Sequence, residues 1–354
     1  MVMDVKSSAE EMRKLQITGG STYIVSLPKG WVEKMGLERG STVSIRRLDD
    51  LTLCIQPKGV KVEDKGRKAV ITIADSNKIT PESLIRRLVS AYLVGYNIIQ
   101  IRNPDRRIET SQRYAVKDFT RKKLVGTEIL SDLPRELILQ VLLSHTELSV
   151  NDALRRMSII AVSMHRDALI TLGMDDTQLA REIITMDDEV DRFSLYIIRL
   201  LKAAVSDSRI LREIGLRSSR ECLGYRLITK SVERMADHAV NIARNSLALT
   251  MSILNEEILN ELKNMSESAV KVFEDAVDAL FNGDYASADR VFNMAYDTRA
   301  MEESAIQKII KNASPEDVPA LRLVIESIMR TAEYGSDIAE TVLNMTIKTE
   351  IQEA

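Results

Sequence analysis

From about residue 147 onward, apolar positions recur in alternating steps of three and four, the spacing of helices that bury one stripe in a bundle. Ile228, Val232, Met235, Ala239, Ile242, Ser246 and Leu249 form one such seam, and Leu179, Ile183, Met186, Val190, Phe193, Ile197 and Leu200 another. The pattern predicts six helices, at about 150–172, 176–205, 216–250, 256–281, 284–311 and 316–346, with Gly173 and Asn282-Gly283 as stop signals. It also repeats. Ala161-Val162, Asp167-Ala168, Asp176 and Met186 recur 108 positions on as Ala269-Val270, Asp275-Ala276, Asp284 and Met294. Arg234 and Ile242 recur 96 positions on as Arg330 and Ile338, because the second copy has a shorter connection. Two tandem three-helix bundles follow, over 147–251 and 252–354.

The first 146 residues alternate differently. Short strand-like stretches, Leu15 to Ile17, Tyr23 to Leu27, Thr42 to Ile45 and Leu51 to Ile55, are separated by Gly19-Gly20, Gly40 and Asp49-Asp50. Pro28 opens a short helix through Trp31, Val32 and Met35, which Gly36 stops. A unit this small, 1–58, cannot bury a stable core alone and is expected to be half of something. Residues 59–146 mix both periods: strands at Ala69 to Ala74, Asn97 to Ile101, Thr127 to Leu130 and Leu137 to Leu143, and helices at Pro81 to Gly95 and Ser111 to Leu124. A small α/β connector is the expected result. The whole is a multidomain, mainly α chain.

Composition changes this picture in one respect. The 354 residues carry a net charge of −3, which hides an asymmetry. Residues 1–123 hold 24 Lys and Arg against 14 Asp and Glu, or +10, and the remainder is −13. A basic head suits a polyanion and an acidic body suits cations or basic partners. Cys54 and Cys222 lie far apart with no CxxC, and read as reduced packing residues. No apolar run is long enough to span a bilayer, and the first residues lack a signal peptide's apolar core, so a cytoplasmic location is expected.

Candidate chemistry centres on the helix through Ser231 to Asn245. Glu233, Asp237 and Asn241 form one row away from its apolar seam. On the flank of the preceding helix, Asp187 and Asp191 lie one turn apart. If the two flanks face each other, four carboxylates meet, an arrangement that is costly without a cation. Oxygen-only ligands favour iron, manganese, magnesium or calcium over structural zinc. In the second copy the same offsets replace Asp187 by Ala295, Asp191 by Arg299, Glu233 by Met329 and Asp237 by Glu333. One metal site is expected, not two. His238 follows Glu233 by five residues, unlike the Glu-x-x-His of carboxylate di-iron bundles. His145 and His165 lack a carboxylate at that spacing and read as surface or packing residues. No nucleophile arrangement and no phosphate-cradling glycine loop is present, and a non-enzyme is expected.

Glu233, Arg234, Asp237, Asn241 and Ile242 match Glu-Arg-x-x-Asp-x-x-x-Asn-Ile, and the chain from about 147 to 347 resembles PhoU domains. The resemblance implies metal ions, often clustered iron or zinc, on the paired acidic motifs. It also implies a role beside a phosphate ABC transporter and its signalling partners as a negative regulator of uptake. Gly19 to Thr22, Leu27-Pro28-Lys29, Gly36-Leu37 and Gly40 resemble the AbrB/MazE/SpoVT swapped-hairpin fold, which implies an intertwined dimeric barrel that binds DNA through basic side chains. Arg13, Lys14, Lys29, Arg46 and Arg47 are the candidates for phosphate or groove contacts at a phosphate-gene promoter. The basic face of the connector's second helix, Arg113, Lys117, Arg121, Lys122 and Lys123, is a further candidate footprint. Two alternatives stand beside a DNA-binding homodimer: an adaptor that docks on the transporter or its ATPase and uses the barrel only to dimerise, and an antitoxin-like head that neutralises a partner protein.

Overall fold

A computed structural model describes residues 11–47, 52–58, 67–73, 79–143, 147–173, 177–250 and 254–351. Asp49-Asp50, His145 and Asp176 lie outside them. The chain divides into two compact units, Met1–Lys65 and Gly66–Ala354.

In the first unit, β1 (Gln16–Thr18) and β2 (Thr22–Ile24) form an antiparallel hairpin, and β3 (Val43–Arg47) and β4 (Leu53–Pro57) form a second. Between them lies the six-residue helix α1 (Lys29–Lys34). Gly19 and Gly20 take left-handed φ values of 61° and 83°, which a glycine reaches without steric cost, and this turns β1 into β2. Within this unit no described residue is buried, and Leu15, Ile17, Tyr23, Ile45 and Leu53 are all more than 60% exposed.

The second unit begins with a four-stranded sheet in the order β5 (Lys68–Thr72), β6 (Ile98–Arg102), β8 (Glu136–Val141), β7 (Thr127–Leu133). The β5–β6 pair is parallel, and a bulge at Ile129/Ser131 interrupts the antiparallel β7–β8 register. Helix α2 (Pro81–Val94) starts where the Thr80 hydroxyl accepts from the Ser83 amide at 3.2 Å and ends at Gly95, φ 96°. With α3 (Thr110–Lys123) it closes a core of Leu84, Leu88, Tyr92, Val116, Ile99, Ile101, Leu137 and Leu139.

Helices α4 (Val150–Thr171), α5 (Thr177–Ser206) and α7 (Glu221–Ser246) pack together as the first bundle, and α8 (Glu256–Asn282), α9 (Tyr285–Asn312) and α10 (Val318–Thr346) as the second. The middle of each expected seam is inside: Ile228, Val232, Met235, Ala239 and Ile242 are fully buried, as are Ile183, Val190 and Ile197, whereas Leu179, Met186, Phe193, Ser246 and Leu249 are half-buried. The two bundles share one core, joined along α7 and α10. One departure from the expected helices is α6 (Ser208–Glu213), set between α5 and α7. The Asp207 carboxylate accepts from the Arg209 amide at 2.8 Å to start it, and Gly215, at φ 86°, ends it, so α7 begins later than the periodicity implied.

The connector does not form a unit of its own. Its helices α2 and α3 lie on α5. The buried Arg199 of α5 donates to the carbonyls at the end of α2, Tyr92 and, at 3.0 Å, Tyr96, and its guanidinium sits 4.8 Å over the Tyr92 ring. A cation at a helix C-terminus satisfies carbonyls the helix leaves open.

Candidate functional site

Helices α5 and α7 pack through apolar stripes, so the polar rows beside those stripes are brought together. Asp187, Asp188 and Asp191 come from α5, and Glu233 and Asp237 from α7. At the edge of the first bundle Asp187, Asp188, Asp191 and Glu233 lie half-buried and Asp237 exposed. The Asp187 carboxyl is pushed up to about 6, first by burial, then by Asp191 and Asp237. Asp237 is likewise pushed up to about 6: protein packed around it removes water, and Glu233 and Asp191 add repulsion. The four carboxylates expected to meet are therefore within electrostatic reach. One oxygen, Oδ1 of Asp187, is buried without a hydrogen-bond partner.

The sequence reading missed what lies among them. Lys123, the last residue of α3, places its ammonium 2.5 Å from Asp188 and 2.7 Å from Asp191. Burial, the largest single influence on Lys123, opposes its charge, but the hydrogen bonds to Asp188 and Asp191 outweigh it and hold the pKa above the ordinary value. Lys230, one turn before Glu233, pairs with that residue. Five carboxylates thus have two ammonium partners, which leaves an excess of negative charge. No three His, Cys, Asp or Glu side chains converge at metal-ligand spacing among the described residues. The donor set suits a hard cation, but with Lys123 seated its oxygens do not converge on one point.

Lys123 also changes the reading of the basic helix. Arg113 and Lys117 both pair with Asp132, Lys122 with Asp118, and Lys123 with the first bundle. Four of the five cations proposed as a nucleic-acid footprint are thus already engaged within the chain.

In the head, Arg13, Lys14, Lys29, Arg46 and Arg47 are all exposed. Arg13 pairs with Glu11, and Lys29 lies 3.7 Å from Glu33. Adjacent residues of a strand point to opposite faces, so Arg47 shares a face with Val43 and Ile45 while Arg46 shares one with Ser44. Arg46 and Arg47 are therefore not interchangeable contacts to one surface.

The second bundle lacks the acidic site. Met329 is buried, Glu333 is bound 2.7 Å from Arg330, and Arg299 is exposed. Two further residues matter more than the sequence suggested. His165 is fully buried between the bundles, with Nε2 3.0 Å from Ser266 Oγ of α8 and Nδ1 3.2 Å from Thr331 Oγ1 of α10. His238 Nε2 lies 3.2 Å from the Tyr334 hydroxyl, which ties α7 to α10. Each residue was recognisable only as a histidine on a helix; its partner lies far away in sequence.

The PhoU domain matches residues 154–246 and 262–342, one match per bundle, and their starts and ends are offset by the same 108 and 96 positions as the repeat. Residues 16–63 match the antidote-toxin recognition domain of MazE, a bacterial antitoxin. A phosphate-specific transport system accessory protein PhoU homolog of Borreliella burgdorferi is 30% identical over 142 residues, 38% of this chain, which spans only 61% of that relative's length. A PhoU homolog 1 of Thermotoga maritima, with the same descriptive name, is 24% identical over 54% of this chain and 83% of its own. The crystal structure of the phosphate transport system regulatory protein PhoU from Streptococcus pneumoniae superimposes with a TM-score of 0.49 at 18% identity, covering 58% of this chain and 96% of that one. Two bundles that each match the PhoU domain, with the Glu-Arg-x-x-Asp motif intact in the first, make the chain a PhoU-family protein whose head is similar to the MazE antitoxin domain.

Proposed function

We propose that this protein is a non-catalytic regulator of phosphate uptake that acts at DNA through its head and receives its signal on its helical body. The observation that carries the reading is the pair of PhoU domains filling the body, in a chain whose relatives are named accessory proteins of phosphate-specific transport. Exposed apolar hairpins and exposed cations in the head support a homodimer that closes those hairpins and presents Arg13, Lys14, Lys29, Arg46 and Arg47 to a promoter. No helix among the described residues is long and apolar enough to cross a membrane, so the body would meet a transporter at its surface.

Asp187, Asp191, Glu233 and Asp237 belong to this reading as a single cation site, for iron, zinc, manganese or magnesium. Its support is the uncompensated charge and the unpartnered Asp187 oxygen. Loading that site requires Lys123 to leave.

The test is fluorescence anisotropy of the full-length protein on DNA from its own phosphate-gene promoter and on scrambled DNA, across a salt series. Tight, promoter-selective binding that falls when Arg46 and Arg47 are neutralised supports the regulator. Weak, unselective binding that vanishes by physiological salt favours a second reading, in which the head engages a protein. That reading has its own observation: the matching domain is described as one that recognises a toxin, itself a protein. The body would then act as an adaptor on the transporter ATPase.

A further inference from the structure

On the side of the second bundle, α7, α9 and α10 line an open cavity of about 700 Å³. Three guanidiniums reach it, Arg234 from α7, Arg299 from α9 and Arg330 from α10. Arg330 is bound to Glu333 at 2.7 Å. The guanidiniums of Arg234 and Arg299 make no side-chain hydrogen bond or ion pair among the described residues, although the charge of Arg234 acts on Asp337 and Tyr334. His238 and Tyr334, joined at 3.2 Å, form part of the wall. Two forks without partners beside a third are an arrangement that recognises oxyanions, because a guanidinium presents paired donors in the geometry of a phosphoryl group.

The repeat explains how this surface arose. At the flank where the first bundle places Asp187, Asp191 and Glu233, the second places Ala295, Arg299 and Met329. At these three positions three carboxylates are lost and one cation gained, while Glu326 stands in the place of Lys230, Asp337 in the place of Asn241, and Glu333, in the place of Asp237, is engaged by Arg330. Arg299 thus brings a guanidinium to the second copy where the first has a carboxylate, and three guanidiniums share the cavity wall with Glu326, Glu333 and Asp337. The cavity also falls in the size range of small-molecule sites, roughly 300–1,000 Å³, larger than a bare oxyanion needs. Glu326 and Asp337 at its wall accept hydrogen bonds from hydroxyl groups, which an organic phosphate carries and inorganic phosphate does not.

We propose that this cavity binds a phosphoryl group on Arg234, Arg299 and Arg330, presented by a hydroxyl-bearing phosphate ester or by free phosphate. The inference rests on the cavity and the repeat and is independent of whether the head binds DNA or the first bundle binds metal.

Calorimetric titration of the full-length chain tests it, with ribose 5-phosphate, inorganic phosphate and unphosphorylated ribose as probes. Binding of a phosphorylated probe, absent with ribose and weakened about tenfold or more in Arg299→Ala, supports the site. Arg299 is exposed and without partners, so this variant is expected to keep the parent's thermal stability. Ribose 5-phosphate binding more tightly than phosphate identifies an ester as the source; equal affinity identifies the free ion. No binding by either phosphorylated probe at millimolar concentration overturns the proposal, as does binding that both Arg299→Ala and Arg234→Ala leave unchanged.

Discussion

Two single residues carry consequences that can be measured. His165 is buried where the two bundles meet, and its pKa is lowered to about 3, mainly by burial and secondarily by His238 and Arg166. The unfolded chain takes up this proton near pH 6.5 and the folded chain does not. His165 therefore costs no stability above pH 6.5, and below it the folded state loses roughly 1.4 kcal/mol per pH unit until about pH 3. Asp187 and Asp237 run the other way: each is held above its ordinary value, so their stabilising effect is present at low pH and fades as pH rises from about 4 to about 6. Comparison with His165→Gln isolates the first effect. Urea unfolding at pH 7 and pH 5 is expected to show the wild type losing about 2 kcal/mol more than the variant. Equal losses would mean that the imidazole is not held neutral.

Lys123 is the second residue. Its side chain is 15% exposed and bonds two carboxylates that are about one-third exposed. Lys123→Ala leaves those carboxylates facing Asp187 and Asp237 without an ammonium. The expected loss at neutral pH is about 1–3 kcal/mol, below the cost of breaking a fully buried pair because water still reaches the acids. Added manganese or magnesium is expected to restore melting temperature in the variant more than it raises it in the wild type. Metal content per chain, measured on protein purified without chelator, is expected to be higher in the variant and not to exceed a single site.

At the scale of elements, α10 approaches the backbone of α8 closely at Gly335. A Cβ on Gly335 would lie 2.9 Å from the Phe273 backbone nitrogen and 2.9 Å from Val272 Cγ1, closer than a methyl is tolerated. Backbone cannot move aside as a flexible side chain can. Gly335→Ala is expected to cost about 1–3 kcal/mol by overpacking, even after the gain of about 1 kcal/mol in helix propensity. Thermal denaturation checks this. A variant as stable as its parent would show that α10 stands farther from α8. The equivalent position of the first bundle is Ala239, fully buried, so the two copies differ in this spacing.

These elements were largely legible in the sequence because their cause is local. A seam such as Ile228, Val232, Met235, Ala239 and Ile242 states its own burial by its spacing, and the repeat states it twice. The acidic rows were legible for the same reason. Lys123 was not: 68 residues separate it from Asp191, and a lysine at a helix end looks the same whether it faces solvent or another domain. The cavity of Arg234, Arg299 and Arg330 was invisible likewise, although the departures at Arg299 and Met329 were in plain view. What the repeat lost was readable; what the changed residues build together required the third dimension. The short α6 escaped because six residues carry too little period to register.

For the whole molecule, the contrast between the two units leads to one further expectation. Gly66–Ala354 holds two extended apolar cores of its own, one in the connector and one through both bundles. Within Met1–Lys65 no described residue is buried, and its large apolar side chains face outward. A segment of this size cannot offset the entropy of ordering its chain without burying them, and a second copy supplies matching hairpins. The full-length chain is therefore expected to run as a dimer in light scattering, and the chain from Gly66 onward as a monomer with the melting temperature of its bundles unchanged. Tyr23→Asp in the full chain places a charge on the exposed β2 face and is expected to shift the dimer toward monomer without altering helix content. A dimer that survives both changes would place the association on the body, and would leave the basic side chains of the head without the paired geometry that DNA recognition by two half-sites requires.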